Sequence, residues 1–157
     1  MTGNDVGVGD PIPDVSVWRS TSETVGLREL AGESPYLLLS YLFDWSSTCT
    51  NELSELNSRR AELLDTGVAP YGLSRDSPWS HVAWQQALDV EVPLLSDWTG
   101  EAVRALGIEQ EFRGLPGVAR RAAFVVDENG IIRGAWRYGA SEVSDFDMLV
   151  EAARSLS

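Results

Sequence analysis

The chain has one cysteine, one histidine and no lysine among its 157 residues, and each shortage removes a class of function. A single cysteine permits no intrachain disulfide, no Cys-x-x-Cys redox pair and no thiolate zinc cluster, so a disulfide reductase is disfavoured at once. Nowhere do ~18 consecutive apolar residues occur, so no membrane-spanning helix is expected. The opening Met1-Thr2-Gly3-Asn4-Asp5 carries an acid and no apolar core, unlike a secretory signal. A soluble cytoplasmic protein is the resulting expectation. All 12 basic residues are arginine, against 24 acids, for a net charge of −12. Phosphate backbones and anionic membrane surfaces would repel such a chain, so neither nucleic acid nor membrane is expected as a partner. An acidic surface without lysine is also what proteins of salt-loving organisms carry, because salt screens the self-repulsion. A GC-rich genome is the plainer source of arginine in place of lysine; the halophile-like reading is preferred.

The content is otherwise that of a globular protein. At 43% hydrophobic residues, 157 residues are enough for one domain with a substantial core, taken as 1–157. Gly9-Asp10-Pro11-Ile12-Pro13-Asp14 is turn chemistry, followed by a short strand at Val15–Trp18 and a hairpin partner at Glu23–Leu27. Tyr36-Leu37-Leu38-Leu39-Ser40-Tyr41-Leu42-Phe43 reads as a strand buried on both faces. Leu53, Leu56, Arg60 and Leu63 then recur at helical spacing up to Gly67. Ala69–Leu73 is a weaker strand because of Pro70 and Gly72, and a helix runs from Ser77 to about Leu88. Val92–Asp97 is a brief extended piece before a helix at Glu101–Leu106. Ala122–Val126 and Ile131–Trp136 flank Asp127-Glu128-Asn129-Gly130, a strong hairpin turn. A last helix runs from Ser144 or Asp145 to about Leu156. Two βα units with a terminal hairpin and helix predict an α/β fold, a mixed central sheet with helices on both faces and an extended N-terminal hairpin.

The chemistry concentrates at Cys49. It lies where the apolar run ends and the amphipathic helix begins, in or beside the first helical turn. Unpaired backbone N–H groups and the positive end of the helix dipole favour a thiolate there. Other candidate features read more plainly. His81 could form a Cys–His pair, but packing on its helix near Trp84 is the simpler account. Gly114-Leu115-Pro116-Gly117 lacks the lysine and following helix of a phosphate loop, and is taken as an ordinary loop. Asp145-Phe146-Asp147 reads as acids at a helix start. The six tryptophans are scattered singly and read mainly as core and edge packing. Neither a metal nor a cofactor is expected.

The residues around Cys49 resemble the peroxiredoxins, of the alkyl hydroperoxide reductase and thiol-specific antioxidant type. The family's Pro-x-x-x-Thr-x-x-Cys followed by Thr-x-Glu reads here Leu42-x-x-x-Ser46-x-x-Cys49-Thr50-x-Glu52. Four further segments are similar in the same order: Pro13 in the opening turn with Leu30-Ala31-Gly32, Gly72–Ser77 leading to His81 and Trp84, Pro93–Asp97 with Gly100-Glu101, and Arg121–Asp127 with Gly130. The resemblance implies a thioredoxin-like fold and a thiol-dependent peroxidase acting on hydrogen peroxide or organic hydroperoxides. By the same resemblance Cys49 is the nucleophile, Arg121 the cation beside it, Ser46 the hydroxyl that orients the peroxide, and Glu52 the acceptor that holds Arg121 in plane. On a strand Arg120 and Arg121 would point to opposite faces, so only one could meet Cys49, and the Arg-Ala-x-Phe match selects Arg121. With no second cysteine, the sulfenic acid formed would be resolved by an external thiol or a thioredoxin-like reductant. A homodimer is compatible with the family. Leu42 replaces the family's proline, and Asp44 adds a carboxylate that disfavours the thiolate unless it points away or is paired. Those two residues favour the alternative of a redox sensor or interaction module with weak or no turnover.

The charge balance gives the first test. Thermal unfolding in a salt series is expected to show stability rising with salt; greater stability at low salt would remove the halophile-like reading.

Overall fold

The computed structural model describes residues 5–139 and 142–156. Residues 1–4, on which the reading of the N-terminus as no secretory signal mainly rests, lie outside the described residues. In chain order the elements are β1 (Ser16–Trp18), β2 (Thr24–Gly26), α1 (Leu27–Glu33), β3 (Tyr36–Ser40), α2 (Ser47–Ser58), α3 (Arg60–Asp65) and β4 (Ala69–Ser74). There follow α4 (Pro78–Leu88), β5 (Leu94–Ser96), α5 (Glu101–Ala105), β6 (Glu109–Phe112), β7 (Leu115–Ala119), β8 (Ala122–Val126), β9 (Ile132–Arg137) and α6 (Phe146–Arg154). Seven strands make one mixed sheet in the order β2-β1-β5-β4-β3-β8-β9, with β6 and β7 as a separate hairpin. β3, β4 and β5 run parallel, whereas β8 is antiparallel to β3 and β9 to β8. This is the mixed α/β, thioredoxin-like arrangement expected, and the N-terminal hairpin pairs Val17 with Val25.

All five residues of β3 and of β8 are buried, because helices cover both faces of the sheet. On one face Leu38, Leu73 and Phe124 pack with Leu27 and Leu30 of α1 and Val103 of α5. On the other, Leu37, Leu39 and Val125 pack with Leu53, Leu63, Trp84 and Leu149 from α2, α3, α4 and α6. Among the described residues no helix is long and apolar enough to cross a membrane.

Several local expectations are corrected. Leu27 opens a short helix rather than closing a strand, with the Glu29 carboxylate accepting from the Gly26 N–H at 3.1 Å. The helix expected to run unbroken to Gly67 breaks at Arg59. There the Ser58 hydroxyl donates to the Glu55 carbonyl at 2.7 Å, and the Asn57 side chain accepts from the Glu91 N–H at 2.8 Å. Both residues prefer such local bonds to a helix interior. β4 is a central strand despite Pro70: the Ala69 N–H bonds Pro35 of the β3 side, so the missing N–H of Pro70 faces the other side, ahead of the first β5 pair at Gly72–Leu94. Gly72 is required by close approach, since a Cβ there would lie 2.7 Å from Leu94 and 3.2 Å from Tyr41.

Two more readings change. The supposed loop at Gly114–Gly117 belongs to the β6–β7 hairpin, whose two-residue turn has φ of 51° at Arg113 and 87° at Gly114. Core and edge packing accounts for three of the tryptophans, Trp84 fully buried and Trp18 and Trp136 half-buried, but Trp45, Trp79 and Trp98 are 58–68% exposed, because they sit in a loop, on an outward helix position and in a turn.

Phe124 is central to the core and fully buried. Phe124→Ala is expected to lower unfolding free energy in a denaturant titration by about 3–5 kcal/mol.

Candidate active site

The site forms at one edge of the sheet. β3 pairs with β8 so that Ser40 lies opposite Ala122, and β8 pairs with β9 so that Ala122 lies opposite Arg137. The residues just after β3, just before β8 and just after β9 therefore meet. The buried Ser40 hydroxyl donates to the Arg120 carbonyl at 2.7 Å, tying the first two segments together.

Cys49 is the third residue of α2 and is 3% exposed. Ser46 is the N-cap residue, yet its side chain does not cap the helix. Instead its hydroxyl donates to the Phe43 carbonyl at 3.1 Å, which leaves the oxygen's lone pairs to accept from another group. The Ser46 carbonyl accepts from the Thr50 N–H at 2.9 Å, the first bond of the helix, so the Cys49 N–H is one of the donors that helix geometry leaves over. Trp45, immediately before, has a φ of 76°, a strained conformation for a bulky side chain.

Arg121 is held on several sides. Its Nη1 donates to Glu52 Oε1 at 3.0 Å and its Nη2 to the carbonyls of Gly139, at 2.9 Å, and Glu142. The other Glu52 oxygen accepts from the Ser144 N–H at 3.1 Å and from the Ser144 hydroxyl. Arg121 and Glu52 side chains are 9% and 7% exposed, so this is a buried ion pair, with both Glu52 oxygens and both Arg121 terminal nitrogens engaged. Ser144 was absent from the sequence-based candidates, since nothing in the pattern links residue 144 to residue 52.

Cys49, Ser46 and Arg121 line one cleft of about 370 Å³, together with Leu42, Tyr138 and residues of the β6–β7 hairpin: Gln110, Phe112 and Arg113. Glu52 stands behind Arg121 and does not line it. Arg120 lines the same cleft, although strand alternation would turn the two arginines to opposite faces. The strand alternation fails because both residues lie between β7 and β8, outside either strand. A larger hollow of about 600 Å³ at Pro35 and Asp127 lies at the opposite end of β3 and contains none of these groups. Among the described residues no group of three or more His, Cys, Asp or Glu could hold a metal ion.

Asp44 turns away from the cleft into a buried polar cluster. Its carboxylate accepts from the Tyr41 hydroxyl at 2.6 Å, the Ser80 hydroxyl at 2.8 Å and meets His81 Nδ1 at 2.8 Å. Its backbone N–H donates to Asp76 Oδ2 at 2.9 Å. His81 Nε2 faces the Leu95 carbonyl at 3.1 Å, which can only accept, so that nitrogen carries a hydrogen. Both ring nitrogens are thus engaged and His81 is 2% exposed, which excludes a Cys–His pair. Burial, acting first, pushes the Tyr41 hydroxyl well above its ordinary range, and a phenol that stays protonated there keeps donating to Asp44. Burial also raises the Asp76 carboxyl.

Solved structures place this arrangement among known folds. A peroxiredoxin-like protein from Aquifex aeolicus superposes with a TM-score of 0.88 at 20% identity, covering 99% of this chain and 90% of that one. Reduced Prx3 in complex with hydrogen peroxide, from Vibrio vulnificus, gives 0.86 at 21% identity, covering 94% and 99%. Identities this low speak for the fold alone, a thioredoxin-like fold of the peroxiredoxin kind. The sequence goes further: alkyl hydroperoxide reductase E of Mycobacterium tuberculosis is 31% identical over 154 residues, 97% of this chain and 99% of that protein. The AhpC/TSA family model matches residues 8–135, and the chain belongs to that family, the peroxiredoxins, which are peroxidases among the oxidoreductases.

Asp44→Ala would strand the buried Tyr41 and Ser80 hydroxyls and remove the carboxylate that His81 Nδ1 meets. It is expected to cost about 3–5 kcal/mol of stability in denaturant unfolding; an unchanged midpoint would show that the cluster does not hold the loop.

Proposed function

We propose that the protein is a one-cysteine thiol peroxidase in which Cys49 reduces hydrogen peroxide or organic hydroperoxides. The observation that carries this is the meeting of Cys49 and a fully anchored Arg121 in one cleft. The Cys49 thiolate attacks the terminal oxygen of a hydroperoxide along the O–O axis. An S–O bond forms, the O–O bond breaks, and sulfur supplies the two electrons; the departing alkoxide or hydroxide takes up a proton and leaves as alcohol or water. Arg121 faces the charge that builds on oxygen, with its plane set by Glu52 and the Gly139 carbonyl, so little reorganisation is needed at the moment of reaction. Ser46 accepts from the hydroperoxide O–H, because its own hydrogen is committed to Phe43. The Cys49 N–H adds a donor.

Cys49 is then a sulfenic acid. With no other cysteine in the chain, a first external thiol condenses with it, releasing water and leaving a mixed disulfide, and a second thiol frees Cys49 as the external disulfide departs. The reductant is a small thiol or a thioredoxin-like protein.

Of the two residues that favoured a slow redox sensor, Asp44 is bonded to Tyr41, Ser80 and His81 and does not line the cleft, which supports the peroxidase reading. Leu42 remains, and it lines the cleft.

Peroxide consumption with excess dithiothreitol is expected to vanish in Cys49→Ser. Arg121→Met should lower the second-order rate of Cys49 with hydrogen peroxide by roughly 10²–10³-fold. Undetectable turnover by the unmodified protein would leave the sensor reading in its place.

A further inference from the structure

The cleft around Cys49 is far larger than hydrogen peroxide requires. A water-sized molecule takes up roughly 30 Å³ of liquid volume, against about 370 Å³ here. Beside the polar Ser46, Ser47, Thr48 and Gln110, its walls carry apolar and cationic groups. Leu42, Phe112 and Tyr138 supply apolar surface, and Arg113, Arg120 and Arg121 supply charge of one sign. Among the described residues no acid lines it, in a chain where acids outnumber arginines 24 to 12.

Arg121 is committed to Glu52, but Arg113 and Arg120 have no carboxylate partner among the described residues. Arg120 uses only Nε, donating to the Tyr138 carbonyl at 3.0 Å. Its two terminal NH₂ groups are left for another acceptor. Arg113 occupies the first central position of a tight hairpin turn at φ 51°, where Asn, Asp or Gly is the usual residue. Its guanidinium carbon lies 5.1 Å over the Phe112 ring, a cation–π contact that uses the face of the guanidinium charge and takes up no carboxylate.

We propose that this cleft selects organic hydroperoxides that carry a carboxylate, with Arg113 and Arg120 receiving the carboxylate while the hydroperoxide end reaches Cys49. The inference rests on Cys49 being the peroxidatic residue. The net charge of −12 sharpens it, since the distant field repels an anionic substrate. At physiological ionic strength the Debye length is about 8 Å, so remote acids are largely screened whereas a guanidinium in contact is not. Arg113 and Arg120 therefore set specificity locally, against the sign of the whole molecule.

The test compares a short ω-hydroperoxyalkanoate with its methyl ester, each mixed with the reduced protein in single turnover beside hydrogen peroxide. At physiological ionic strength the acid is expected to react about fivefold faster than the ester, with the ratio shrinking as salt is raised. Arg113→Asn suits the turn and removes the charge; with Arg120→Gln it should bring the acid-to-ester ratio to one or below. An ester as fast as the acid with the unmodified protein, or a ratio unchanged in the double variant, overturns the proposal. If hydrogen peroxide still reacts in that event, only the carboxylate selection has failed. Absence of reaction with all three peroxides removes the peroxidase reading, and this inference with it.

Discussion

The antiparallel register that sets Ser40 opposite Ala122 decides which side chains can meet Cys49. In a strand with one solvated face, the apolar alternation would fix that register, because a one-residue slip exposes every core side chain. β3 and β8 are buried on both faces, so alternation says little. Ser40 supplies what the pattern cannot. Its buried hydroxyl bonds the carbonyls of Arg120 and Ala122, and a slip would leave that hydroxyl without partners at a cost of about 1–3 kcal/mol. Arg121 then lies beside the loop that follows β3, and the β8–β9 register brings Tyr138 and Gly139 to the same edge. Three distant stretches of sequence converge on the thiol for this one reason.

Burying an arginine beside a thiol carries a desolvation penalty of several kcal/mol per ion that a single contact does not offset. The fold answers with completeness: Glu52, the Gly139 and Glu142 carbonyls, and behind Glu52 the Ser144 N–H and hydroxyl. The Asp44 cluster follows the same rule, with each of its oxygens accepting and both His81 nitrogens engaged. Both clusters flank the Cys49 loop, one from α2 and the segment after β9, the other from α4. Rigidity of the loop therefore comes from satisfied polar groups. That also explains how a leucine can stand where the family has a proline: the loop is held through Asp44 and Ser46, not by a fixed φ at residue 42.

The strands buried on both faces, the Cys49 helix and the Asp127–Gly130 turn were legible because each carries a periodicity or a turn residue strong enough to stand alone. The β6–β7 hairpin was not. Glu109-Gln110-Glu111-Phe112 alternates between exposed and half-buried with almost no apolar contrast, and its turn uses an arginine where asparagine would have announced it. The helix break at Arg59 was hidden for a related reason. Leu56 and Leu63 keep the helical spacing across it, while the cause lies in the side-chain bonds of Asn57 and Ser58. Arg121 and Glu52 could be named from their motif; Ser144, which completes their pair from 92 residues away, could not. Long-range partners of polar groups leave no local trace.

Net charge was the least informative guide to the site. A chain at −12 would be expected to present an acidic cleft, and a carboxylate five residues before the thiol would be expected to quench it. Among the described residues no acid lines the cleft and Asp44 is bonded away from it, since interactions at contact distance outweigh a screened sum over the surface. Asp44 is engaged by the Tyr41 and Ser80 hydroxyls and by His81 behind the loop, and the arginines that line the cleft come from the β6–β7 turn and the residues just before β8. In a chain with 24 acids, the three cleft arginines are a local exception. Among the described residues the charged groups that line the cleft are all arginines, so the local field there is opposite in sign to the net charge of the molecule.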